Sequence, residues 1–217
     1  MPVKPPAKTA RTPGKDKPRA YRSPSREAAA EDTRARIVDG ALVLLAGGPG
    51  LPAFSMDAAA RQAGVTRLTV YNQFESRSGL LEAAFDEMAR RGGLHEIAEV
   101  FAEPDADAAL RRLVGIFCRF WSMHGKVLPR FSALMRLDEE IAASLKQRAE
   151  RRRVVLAQLV LRLLPRQAKA DQELVDLLFA LTGFEMFDAL SVHRRSAAAV
   201  EKLVLGQVEQ AVRMHRS

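Results

Sequence analysis

The chain has 217 residues, 47% of them hydrophobic, with a formal net charge of +8 and a pI near 10.1. That length suits one large domain, or a small domain with a medium companion. Its one cysteine, Cys118, excludes an intramolecular disulfide, no uncharged apolar run reaches the roughly 18 residues of a membrane span, and no apolar segment follows the basic N-terminus as in a signal peptide, so a cytoplasmic location is expected.

The charge is uneven. Residues 1–30 hold eight Lys or Arg against two Asp or Glu, residues 31–91 seven against eight, and residues 92–217 nineteen against sixteen. The first 30 residues are rich in Pro, Lys, Arg and Ser and have little to bury, so they are expected to form a disordered basic arm. Lys15, Lys17, Arg19, Arg22 and Arg26 either solubilise the chain or touch phosphates or a minor groove.

A first helix is expected over about 31–46, with Ile37, Ala41, Leu44 and Leu45 as its apolar stripe. Gly47, Gly48, Pro49 and Gly50 end it. These glycines follow no strand and lack the G-K-[ST] of a phosphate loop, so they read as a turn. Leu51 and Phe54 then tuck beneath the first helix.

Residues 55–74, SMDAAARQAGVTRLTVYNQF, carry two short helical repeats, about 56–63 and 67–73. Ser55 and Thr66 stand as N-caps, and Gly64 allows the left-handed corner between the repeats. This is the pattern of a helix-turn-helix, whose second helix enters the DNA major groove. Thr66, Arg67 and Thr69 lie on the leading part of that second helix, with Asn72 and Gln73 behind. Arg67 suits a guanine edge, and Asn72 or Gln73 an adenine edge; the two threonines serve equally as caps or phosphate contacts.

Tyr71 and Phe74, followed by Ser76, Arg77, Leu80 and Leu81, resemble the end of the recognition helix and the start of the fourth helix in the TetR family of bacterial transcription regulators. The resemblance covers about 31–91. It implies that Tyr71, Arg77 and Ser55 contact backbone phosphates. Two departures stand out: Leu68, where Gly is frequent, and Asn72-Gln73, where an aromatic-His pair is common. Leu68 either packs inward or meets a thymine methyl. A fourth helix follows over about 77–90, and Gly92 and Gly93 mark a joint.

The remainder reads as helices: a short segment at 94–101, then about 107–124, 127–136, 138–163, 171–191 and 196–213. The triplet at 151–153 reads as a solvated basic face. Residues 171–191 are apolar on more than one side, which calls for a second partner. A homodimer through residues about 171–213 is therefore expected, as the resemblance also implies, with Gly183 and Gly206 allowing close approach. Phe117, Phe120, Trp121, Phe131, Met135, Phe184 and Phe187, with His124 as a polar handle, are candidates to line a pocket. The resemblance implies a small apolar or amphipathic effector there.

His95, His124, His193 and His215 show no ligand spacing, and no nucleophile–base pair or nucleotide motif occurs, so neither a metal, a cofactor nor an enzyme activity is expected. The fold class expected is all-α. A basic arm (1–30) precedes an N-terminal three-helix helix-turn-helix domain with its fourth helix (31–91), and then a helical C-terminal domain for dimerisation and ligand binding (92–217). The function expected is sequence-specific binding of double-stranded DNA at a palindromic operator by a transcription regulator, a repressor released by its effector, with no membrane association. The alternative is an all-helical ligand-binding or scaffold protein that does not read DNA, which the near-neutral charge of 31–91 favours.

Overall fold

The computed structural model describes residues 24–48, 53–135 and 139–216. Among them every regular element is a helix. The expectations for residues 1–23 and Leu51 lie outside the described residues. In chain order the helices are α1 (Pro24–Ala46), α2 (Met56–Ala63), α3 (Arg67–Phe74), α4 (Arg77–Arg91), α5 (Ile97–Val100), α6 (Ala106–His124), α7 (Leu128–Met135), α8 (Glu139–Leu163), α9 (Gln172–Leu181), α10 (Phe184–Leu190) and α11 (Ala197–Arg216), with 3-10 turns at Leu94–Glu96 and Val192–Arg194.

Two boundaries differ from the sequence reading. The first helix begins at Pro24, not near residue 31, so residues 24–30 are helical rather than part of a disordered arm. Proline suits the first turn, where its missing N–H has no partner to lose, and Ala28–Ala29–Ala30 is strongly helix-forming. The second difference is a break in the helix expected over 171–191. The Thr182 hydroxyl donates to the Leu178 carbonyl (2.7 Å), Gly183 adopts an extended conformation, and α10 starts afresh at Phe184. The leucine and phenylalanine pattern runs through this break, so periodicity does not reveal it.

Two buried cores hold the chain together. One joins α1 to α4 through Ile37, Leu44, Leu45, Met56, Val70, Phe74, Leu80, Leu81 and Met88. It also takes in Phe120 from α6, Val127, and Leu128 and Phe131 from α7. The other gathers α6, α8, α9 and α11, with Leu110, Leu113, Leu156, Leu159, Leu174, Leu178, Val204 and Val208. Helix α6 thus faces both cores, because its apolar residues cover more than one side of the cylinder.

Polar contacts reinforce this joint. His124, at the end of α6, donates from Nε2 to the Met88 carbonyl of α4 (3.0 Å). Arg130 of α7 donates to the Leu44 carbonyl (3.0 Å), meeting an acceptor left open at the end of α1. Arg148 of α8 pairs with Asp86 of α4 (2.7 Å).

Candidate nucleic-acid interface and interior cavity

The corner between α2 and α3 is built from local chemistry. Ser55 accepts from the Ala58 N–H (3.1 Å) and starts α2. Gly64 ends it in the left-handed region at φ 67°, a conformation that favours glycine. Thr66 accepts from the Thr69 N–H (3.1 Å) and starts α3, and the two hydroxyls are also hydrogen-bonded (2.8 Å). Ser76 caps α4 in the same way through the Gly79 N–H (3.0 Å). A Cβ at position 79 would stand 2.2 Å from the Phe74 carbonyl oxygen, so the tight α3–α4 turn requires glycine there.

Helix α3 is anchored by buried Val70 and Phe74. Arg34 of α1 lies over the Phe74 ring (4.3 Å) and donates to the Gln73 carbonyl (2.8 Å), clamping the end of the helix. The opposite side is open. Leu68 is 68% exposed, which decides its orientation: it points outward, beside exposed Arg67, Tyr71 and Asn72. Thr69 and Gln73 are half-buried. The Arg67 guanidinium lies 3.3 Å from both the Asp57 carboxylate and the Tyr71 hydroxyl. Those contacts, the Tyr71 hydroxyl first and Asp57 next, raise its pKa further. Arg77 is half-buried at the start of α4, with its guanidinium 5.5 Å from the centre of the Phe54 ring.

A cavity of about 640 Å³ is lined by residues of α4, α6, α7, α8, α9 and α10. Of the residues named from sequence, Phe117, Phe120, Trp121, Phe131 and Phe184 line it. Trp121 meets Phe120 edge-on (4.8 Å between centroids) and Phe184 at 5.9 Å, and Phe85 adds an edge-on contact with Phe131 (6.1 Å). The Trp121 indole donates to the Thr182 carbonyl (2.9 Å), so the break before α10 fixes both rings. His124 is not in the lining; it is buried against Met88, and burial chiefly lowers its pKa. Phe187 packs into the core of α6, α8, α9 and α11 instead. The Met135 side chain lies outside the described residues.

The sequence reading missed the basic part of this lining: Lys146, Arg148, Arg151 and Arg152. The triplet at 151–153 is not simply a solvated face. Arg152 is half-buried, donates to the Thr182 hydroxyl (3.2 Å) and lies 3.8 Å from the centre of the Phe179 ring. Arg153 covers the same ring (3.9 Å) and pairs with Asp176. A signal was available: Arg148, Arg152, Val155 and Leu159 recur at four- and three-residue spacing, which puts both arginines on the apolar side of α8.

Among the described residues, no group of three His, Cys, Asp or Glu side chains is arranged to hold a metal, and no helix is long and apolar enough to cross a membrane.

The capped, outward-facing α3 after the Gly64 corner completes a helix-turn-helix within an all-helical set of described residues. Residues 37–84 match the family model for bacterial regulatory proteins of the tetR family, so the helix-turn-helix region is similar to that of the TetR regulators. Solved structures agree on the fold. A TetR-family transcriptional regulator from Rhodococcus sp. is 17% identical, with a TM-score of 0.65 over 84% of this chain and 99% of that one. One from Mesorhizobium loti MAFF303099 is 17% identical (TM-score 0.62; 85% and 97%), and a transcriptional regulator from Rhodococcus sp. Rha1 is 18% identical (TM-score 0.63; 86% and 97%). No curated protein sequence matches the chain.

Proposed function

We propose that this TetR-like protein is a cytoplasmic, sequence-specific DNA-binding regulator, acting as a homodimeric repressor that a small effector releases, and that it acts by binding rather than catalysis. The observation that carries this reading is the polarity of α3. One side is fixed by Val70 and Phe74, while Thr66, Arg67, Leu68, Tyr71 and Asn72 stand exposed in a row that suits a major groove. Arg67, Asn72 and Gln73 are assigned to base edges, and Ser55, Thr66, Thr69, Tyr71 and Arg77 to caps and phosphates. Exposed Leu68 supplies an apolar contact for a thymine methyl.

Two copies are needed to read a palindrome. Leu177 on α9, Val192, and Leu203 on α11 are exposed in the single chain, and a Cβ at Gly206 would meet nothing within 4 Å, which supports pairing through residues 171–213. The effector occupies the cavity. Phe85 of α4 lines it and Asp86 of α4 pairs with Arg148 in its wall, so a ligand that displaces these groups moves α4 and changes the separation of the two recognition helices.

Selection from a random duplex pool by the full-length protein tests the reading. Enrichment of a palindrome with half-sites about one helical turn apart is expected. Absence of enrichment at low salt would favour the alternative of a ligand-binding or scaffold protein, for which the engagement of Arg67 by Asp57 and Tyr71 is the structural argument.

A further inference from the structure

We propose that the cavity takes an anionic amphipath: a hydrocarbon or aryl body held by the aromatic wall, with a carboxylate received by the Arg152 guanidinium. This rests on the reading of the cavity as the effector site.

The shape and the charge of the cavity carry the argument together. Its volume of about 640 Å³ suits a small organic ligand. Phe117, Phe120, Trp121, Phe131 and Phe184 form an apolar wall that favours a hydrocarbon body. Along α8 the lining instead carries four cations, Lys146, Arg148, Arg151 and Arg152, against the single carboxylate of Glu185. A neutral apolar ligand has no use for that imbalance.

The four cations differ in their partners. Arg148 is paired with Asp86. Lys146 and Arg151 are exposed. Arg152 is drawn inward: its guanidinium lies over Phe179 and donates to one neutral hydroxyl, that of Thr182, and among the described residues no carboxylate stands within ion-pair distance of it. A guanidinium has five N–H donors, so most of its capacity is unspent on that hydroxyl. Burial pushes its pKa down to about 10, with Glu185 opposing that change and Arg153 adding to it. At neutral pH the group still carries its charge, and a partly desolvated charge that Glu185 offsets without an ion-pair contact gains when an anion reaches it directly. The planar fork matches a carboxylate through two parallel hydrogen bonds.

Phe179 fixes the direction of this fork, because it is packed between Arg152 and Arg153, and Arg153 is itself held by Asp176. Thr182 fixes it from the other side while also accepting, through its carbonyl, the Trp121 N–H. The cation and the aromatic wall therefore share one support, the break between α9 and α10.

Trp121 is the only tryptophan in the chain and lines the cavity, so its fluorescence reports occupancy directly. The test titrates the full-length protein with decanoate and 2-naphthoate, each against its neutral amide. At neutral pH at least one carboxylate should bind about tenfold more tightly than its amide. Arg152→Met should bring that carboxylate to within about threefold of the amide, and Arg152→Lys should keep part of the preference. No preference for the carboxylate in either pair, or no saturable binding of any probe, overturns the proposal, and this comparison needs only the unaltered protein. A preference that survives intact in folded Arg152→Met also overturns the assignment. Affinity for a selected duplex is measured in parallel. Arg152-dependent carboxylate binding that leaves duplex affinity unchanged would keep the anion site and remove the effector reading, whereas equal release by carboxylate and amide would keep the effector reading and remove the anion site.

Discussion

Arg148 of α8 donates to Asp86 of α4 across 2.7 Å, and the same guanidinium lies 4.8 Å from the centre of the Phe85 ring. One side chain in the cavity wall thus holds both a charge and a ring of the helix that follows the helix-turn-helix. The Asp86 carboxylate is largely exposed, so the pair should add little stability. Asp86→Asn is expected to shift urea unfolding by about 1 kcal/mol or less. It should nevertheless reduce the effect of a bound ligand on duplex affinity, because the link from α8 to α4 is cut. An unchanged ligand response in a mobility-shift titration would show that the signal travels elsewhere.

The two arginines assigned to DNA have different tasks and different signatures. Arg67→Ala should reduce discrimination between a selected duplex and its mismatched version by about 1–3 kcal/mol. Arg77→Ala should weaken both duplexes alike and flatten the dependence of affinity on salt. Competition binding separates these outcomes; equal losses on both duplexes for Arg67→Ala would sink its base-reading role.

Phe120 is completely buried, belongs to the core of α1–α4, and contacts Phe85, Trp121 and His124. Phe120→Ala is expected to lower stability by about 3–5 kcal/mol in urea denaturation, the range for deleting a buried phenyl ring. The loss should appear as one transition if the two cores unfold together, since α6 belongs to both.

His124 makes stability depend on pH. Its folded pKa lies below the ordinary value of 6.5, chiefly through burial, with the Met88 hydrogen bond opposing and Arg91 adding to the shift. The unfolded chain therefore takes up the proton first. The contribution is fully present above the unfolded value and is lost as pH falls below it toward the folded value. Glu87 acts on the same side at lower pH: hydrogen bonds from Arg90, and then Arg91, outweigh its burial and hold it at about 2, so its contribution is lost as pH falls below its usual 4.5. Urea midpoints measured from about pH 7.5 down to 5.5 should fall for the unaltered protein and fall less for His124→Gln. Identical pH profiles would remove His124 from the explanation.

Much of the architecture was legible because its causes are local. Ser55, Gly64 and Thr66 bracket two helices through hydrogen bonds spanning only a few residues and one left-handed position, and the observed α2 and α3 follow those signals closely. The apolar stripe of Ile37, Ala41, Leu44 and Leu45, and the Tyr71–Phe74–Ser76–Arg77 run that carries the family resemblance, were equally plain in the chain.

Other features depend on groups far apart in sequence. Whether Leu68 points outward is set by which side of α3 the α1–α4 core covers. The break after α9 is held by Thr182 together with Trp121 and Arg152, 61 and 30 residues away. His124 looked like a ligand handle, but α4 brings the Met88 carbonyl to it and takes it out of the lining. Arg152 looked like surface charge until Phe179 and Thr182 converged on it. Sequence alone thus determined the helices and the family resemblance of the helix-turn-helix region, because capping and periodicity act within a turn or two; only the tertiary structure decided which cations and rings share a cavity, because burial and charge pairing depend on what the rest of the chain brings alongside.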